Sequence, residues 1–169
     1  FGDGLLDAHW DNEQQAVNIN ADITQENGLH SYINADIFPI KEALDLRFNA
    51  NKLNASFMQP FMSAFASDIQ GLATGKAQLY GTFKDVDLIG DIYVDDFKFK
   101  IKFTDVTYSA SDTIHIYPGL IDFKNITIYD PNHNTATLNG QLRHSYFRDA
   151  EFEFNITNAS NFLCYNTTE

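Results

Sequence analysis

A chain of 169 residues with 44% hydrophobic residues has the length and composition of one domain with a real core, which excludes a disordered tail. Its formal net charge of -12 argues against binding nucleic-acid phosphates or an anionic membrane surface, since both need basic patches. No 18-residue apolar run is present for a transmembrane helix, and one cysteine, Cys164, has no internal disulfide partner and reads as a small apolar residue.

In chain order, the dominant signal is alternation. Val17, Ile19, Ala21 and Ile23 alternate with polar residues, as do Leu29, Ile33, Ala35 and Ile37, and then Leu44, Leu46 and Phe48. Phe38-Pro39-Ile40-Lys41-Glu42-Ala43 reads as a break with a short turn of helix. Phe57, Phe61 and Phe65 lie four apart with Pro60 early in the run, which predicts one short helix over 57–66 with the three rings turned inward. Gly71, Gly75, Gly81 and Gly90 punctuate the middle strands, where glycine marks bends or close backbone approach.

From Val86 the register Val86, Leu88, Gly90, Ile92, Val94 is apolar, and Asp85, Asp87, Asp91, Tyr93 and Asp95 fill most of the other. Asp95-Asp96 reads as a turn. Beyond it, Phe97, Phe99, Ile101 and Phe103 alternate with Lys98, Lys100 and Lys102. Ile121 and Phe123 share one register while Ile126 and Ile128 share the other, so a bulge near Lys124–Asn125 is expected to return both pairs to one face. Ala136, Leu138, Gly140 and Leu142, then Phe152, Phe154 and Ile156, complete the pattern. Strands with one apolar and one polar face are antiparallel by habit. About ten of them with short turns predict an all-β fold: an elongated curled antiparallel sheet, a half-pipe with a hydrophobic interior groove and one short helix. A two-sheet sandwich is the competing architecture.

Catalytic signals are weak. Asp85, Asp87, Asp91 and Asp95 share a solvent-facing register, where nothing raises a carboxyl pKa for acid–base work. Asp130-Pro131-Asn132-His133-Asn134 lacks the spaced acids and terminal glutamate of a calcium loop and reads as a polar hairpin turn. His9, His30, His115, His133 and His144 show no metal-ligand spacing and read as scattered surface histidines. Sequons at Asn54, Asn125, Asn155, Asn158 and Asn166 are expected to be unmodified, since alternating polar strand positions generate such triplets. No catalytic residue, metal or cofactor is expected, and the protein reads as a non-enzyme.

A further pattern lies in order and spacing. Ala35-Asp36-Ile37-Phe38-Pro39-Ile40 is followed by Gln70-Gly71-Leu72-Ala73-Thr74-Gly75-Lys76-Ala77-Gln78-Leu79-Tyr80-Gly81-Thr82-Phe83, then by Leu88-Ile89-Gly90-Asp91-Ile92. Downstream come Ser111-Asp112-Thr113-Ile114, Ile121-Asp122-Phe123-Lys124-Asn125-Ile126, Ala136-Thr137-Leu138-Asn139-Gly140 and Phe152-x-Phe154-x-Ile156. Over roughly residues 29–166 this resembles the C-terminal region of the translocation and assembly module subunit TamB family, within the AsmA-like bridge-like lipid-transfer superfamily, in its Bacteroidetes form. The resemblance implies a periplasmic segment of a longer, repetitive half-pipe, with an inner-membrane anchor helix outside this chain and a BamA-type outer-membrane partner. It also implies service in phospholipid movement between membranes, in outer-membrane protein assembly, or in both.

The apolar register then supplies the expected groove lining for phospholipid acyl chains: Leu79, Phe83, Val86, Leu88, Ile92, Val94, Phe97, Phe99, Ile101, Phe103, Leu138, Leu142, Phe152, Phe154 and Ile156. Each buried methylene contributes about 0.8 kcal/mol, so such a groove holds a chain without specific polar contacts. The alternatives are a β-sandwich adhesin or carbohydrate-binding module, for which the loops are short, and a jelly-roll hydrolase using the acids.

Overall fold

Alternation becomes structure wherever a strand finds neighbours for both edges and a cover for one face. The structure, a computed structural model, describes residues 3–63 and 65–165, without the side chains of Phe57, Pro60 and Phe61. Ten strands form in it: β1 (Asp3–Asp11), β2 (Ala16–Thr24), β3 (His30–Phe38), β4 (Ala43–Asn54), β5 (Ala66–Thr82), β6 (Val86–Ile101), β7 (Val106–Tyr117), β8 (Leu120–Tyr129), β9 (Thr135–Ser145) and β10 (Arg148–Thr157). They make one open antiparallel sheet in simple sequence order, a meander with no second sheet among the described residues. The sandwich architecture is therefore not adopted.

Between β4 and β5 lie a 3-10 turn, Ala55–Met58, and one short helix, α1 (Gln59–Met62). Asn54 caps the turn by accepting from the Ser56 amide at 2.9 Å. The expected helix is thus present but shorter. Of the three rings assigned to its inner face, Phe65 packs against the core, and the Phe57 and Phe61 side chains lie outside the described residues.

Residues directly opposed across an antiparallel pair share a face. The register therefore carries one apolar row across the whole sheet: Leu6, Ala21, Ile33, Phe48, Ala77, Gly90, Ile116, Ile121, Leu142 and Phe152, each opposite the next. With strands about 4.8 Å apart, nine intervals give that row a contour length of about 43 Å.

Curl is written in two kinds of residue. Lys52, Asp68, Asp96, Asn125 and Asp149 all have positive φ, and each lies within a register shift of its strand. Asp and Asn enter the left-handed region at lower cost than most side chains, and each bulge bends its strand and adds twist. Asp95-Asp96 is accordingly no turn: β6 runs unbroken through it, and the bulge returns Phe97 to the face of Val94. The bulge expected near Lys124–Asn125 is present, at Asn125. The break after β3 is a turn closed by the Glu42 amide on the Pro39 carbonyl, 3.3 Å, and not a helix.

Glycine supplies the second device. At Gly75, φ is +153° and a Cβ would come 2.1 Å from the Asp91 carbonyl oxygen; Gly90 on the facing strand has φ +154° and the same crowding against Lys76. These glycines let the β5 and β6 backbones coil tightly against each other, rather than leave empty room along the face.

Candidate functional site

The candidate site is the apolar face, and the curl divides it into two parts. Over β5–β10 it is a filled cup. Val94 and Ile128, 1% and 3% exposed, sit at its centre with Ile92, Phe97, Ile114, Ile116 and Ile126. Met58, Met62 and Phe65 press on this cluster from the segment around α1. Two side-chain contacts span from the β5–β6 side to β10 where the register gives no backbone pairing. The Phe65 and Phe152 rings meet edge to face at 4.9 Å, and the Arg148 guanidinium pairs with the Asp85 carboxylate.

Over β1–β4 the same face is an open wing. Val17, Ile19, Ile33, Ile37, Leu44, Leu46 and Phe48 are half-buried, and at the edge Leu6 is 69% exposed and Trp10 also projects into solvent. No element of the described chain covers them.

The residues expected to line a groove fall into four groups. Leu88, Ile92, Val94, Phe97, Phe99, Ile101 and Leu138 belong to the packed cluster, with Leu142 buried beside it. They face inward as expected, but side chains rather than an open channel meet them. Leu79 and Val86, half-buried, sit where cup and wing join, opposite Leu88 and Gly81. Phe152, Phe154 and Ile156 lie on edge strand β10 and stay partly exposed; Phe154 lies over Gly140, where a Cβ would come 2.3 Å from its ring. Phe83 and Phe103 line nothing. Both occupy hairpin turns, and Phe103 is 87% exposed because β6 ends at Ile101, two residues before the alternation does.

The polar face is a set of short pairs. Arg47 bridges to Asp36, His30 to Asp22 at 2.8 Å, His115 to Asp91, and Lys100 to Asp105 at 2.6 Å. Asp87 accepts from the Gly119 amide at 3.0 Å, and Asp95 from the Ser111 hydroxyl at 3.3 Å. Among the described residues no three His, Cys, Asp or Glu side chains gather as a metal site.

Three side chains escaped the sequence reading. His144 is buried, not a surface histidine: it shares the register of Leu142, stacks on Phe147 at 4.4 Å, and its Nδ1 accepts the Phe147 amide at 3.0 Å. Burial holds its pKa below the ordinary 6.5, against the opposing pull of Asp87. Tyr108 faces the cup, and burial raises its hydroxyl pKa above 10. The signal was there in Val106-x-Tyr108-x-Ala110, masked because Asp112 interrupts the run before Ile114 and Ile116.

Asp130 is the third. The residue is 3% exposed, and its carboxylate accepts the amides of Asn132 (2.9 Å), Asn134 (2.8 Å) and Leu163 (2.9 Å), and the Asn134 side chain (3.0 Å). Burial pushes its pKa up, but these four hydrogen bonds outweigh it and leave the carboxyl below the usual 3.8. Residues 158–165 are thereby drawn back from β10 towards β7, where Phe162 stacks on Tyr108 at 5.4 Å. Cys164 ends up exposed.

Comparison with protein-family models, with curated proteins and with solved structures finds no match to this chain. Its functional reading therefore rests on its own geometry and on the sequence pattern above.

Proposed function

We propose that this chain is a non-enzymatic, acyl-chain-binding segment of a TamB-like periplasmic protein. Its apolar face serves phospholipid movement between the inner and outer membranes, outer-membrane protein assembly, or both. One observation carries the reading: the apolar row that runs from Leu6 to Phe152 through all ten strands, left uncovered over β1–β4. A contiguous apolar face left half-buried, with Leu6 and Trp10 exposed at its edge, is suited to meeting another apolar body. The opposite face is polar along the same strands, as with Asn20, Asn34 and Arg47, so one side suits water and the other hydrocarbon. The anchor helix and the BamA-type outer-membrane partner belong to this proposal through the sequence resemblance.

The test is site-specific photo-crosslinking in cells. A crosslinker at Ile19 or Leu46, on the apolar face of the wing, is expected to capture phospholipid. One at Asn49, exposed on the polar face, is expected to capture none. Equal capture from both faces would defeat the proposal.

A further inference from the structure

The segment that follows β10 does more than end the sheet. From Asn158, whose side-chain amide donates to the Thr137 hydroxyl at 3.3 Å, it recrosses the cup on its inner side and is held again further along. The Asn134 side chain donates to the Asn161 carbonyl at 3.0 Å, Asp130 accepts the Leu163 amide, and the Tyr108 hydroxyl donates to the Leu163 carbonyl at 3.1 Å. Between these polar ties Phe162 lies flat on Tyr108, 5° from parallel, and packs against the buried cluster. Its floor is apolar: Tyr108 stands opposite Phe99, and Phe99 lies 5.6 Å from Phe97.

Two features separate this segment from the strands around it. It belongs to no strand, so no ladder of backbone bonds secures it. Its apolar anchorage is concentrated in one half-buried ring, with Leu163 also half-buried, while Asn158, Asn161, Cys164 and Tyr165 are exposed. A segment held by side-chain ties and one ring, with no backbone ladder, is drawn from the low-stability end of a structure.

From this we infer that residues 158–165 form a displaceable strap, with Phe162 occupying in cis the place that an acyl chain takes when the strap lifts. The inference rests on the acyl-binding reading and adds its regulation. The wing is open at all times, whereas the cup admits a chain only when the Asp130 and Tyr108 ties release. Apparent affinity at the cup is then reduced by the fraction of time the strap is open.

Binding of the fluorescent fatty acid cis-parinarate, with amide hydrogen exchange of residues 158–165 read alongside, tests this in the wild type and two variants. Phe162→Ala removes the ring. Leu163→Pro removes the amide that Asp130 accepts and leaves the ring in place. Exchange across β6 and β7 shows whether each variant keeps its fold, and Leu163→Pro carries the test if Phe162→Ala does not.

The expected result has two parts. The fatty acid speeds exchange of the strap in the wild type. Both variants bind it about tenfold more tightly, as follows from a strap closed about 90% of the time. Unchanged affinity in both variants, with the wild-type strap still protected while the probe binds, would overturn the strap and leave the acyl-binding reading standing on the wing. Tighter binding by Phe162→Ala alone would trace to the vacated ring and would also overturn the strap. No binding by any of the three proteins would overturn strap and acyl-binding reading together.

Discussion

At the scale of single residues, burial and not spacing decides which polar groups matter. His9, His30 and His115 each sit beside a carboxylate in water, whereas His144 is enclosed by the β9–β10 hairpin and stacked on Phe147. With Nδ1 accepting the Phe147 amide, the neutral ring carries its proton on Nε2, which meets no hydrogen-bond partner among the described residues. Protonation therefore breaks the one bond the ring makes. Because the folded pKa lies below 6.5, the fold prefers the neutral ring. Its contribution to stability is complete above the unfolded value and is lost as pH falls from there through the folded value. Unfolding free energies measured between about pH 8 and pH 5 should fall more steeply for the wild type than for His144→Leu. The other histidines are common to both proteins and cancel. Parallel pH profiles would show that His144 is not held neutral.

Individual strands owe their faces to alternation and their curvature to its interruptions. In β6, Asp96 spends one residue on a bulge, and without it Phe97 would point into water. In β5 and β6 the glycines let the backbones approach so closely that any side chain would strike the neighbouring strand. Gly75→Ala should therefore lower stability by about 1–3 kcal/mol through strain at φ +153° and the clash with Asp91, measured by urea unfolding. A neutral effect would mean that the pair relaxes without these close approaches. Ala77, on the same apolar row but free of positive φ, is where an enlarged side chain would test space alone.

Across the whole molecule, one sheet supports two kinds of apolar surface. In the cup, Val94 is closed in by the residues around it, so Val94→Asp buries an unpaired carboxylate at a cost of several kcal/mol. On the wing, Leu46 is half-buried with water at hand, and Leu46→Asp keeps its charge hydrated. Thermal melts followed by circular dichroism should show Val94→Asp largely unfolded and Leu46→Asp folded with a modestly lower midpoint. Equal loss in both would mean that the wing face is covered in solution.

The sequence by itself determined the class of fold and the two faces. It did so because the pleat is local: a residue's side of the sheet depends on parity, and parity is written in Val86, Leu88, Ile92 and Val94 alone. Even the Asn125 bulge was legible, as a change of phase. The limits of single elements were less so, since Phe103 keeps the alternation after the strand has turned away. Tertiary structure alone decided which part of the apolar face is closed. That depends on Phe65 meeting Phe152, on Arg148 meeting Asp85, and on Asp130 drawing Phe162 onto Tyr108. These partners stand far apart in the chain and share no period, so no local pattern announces them. They meet because bulges and glycines on several strands add their bends into one curl.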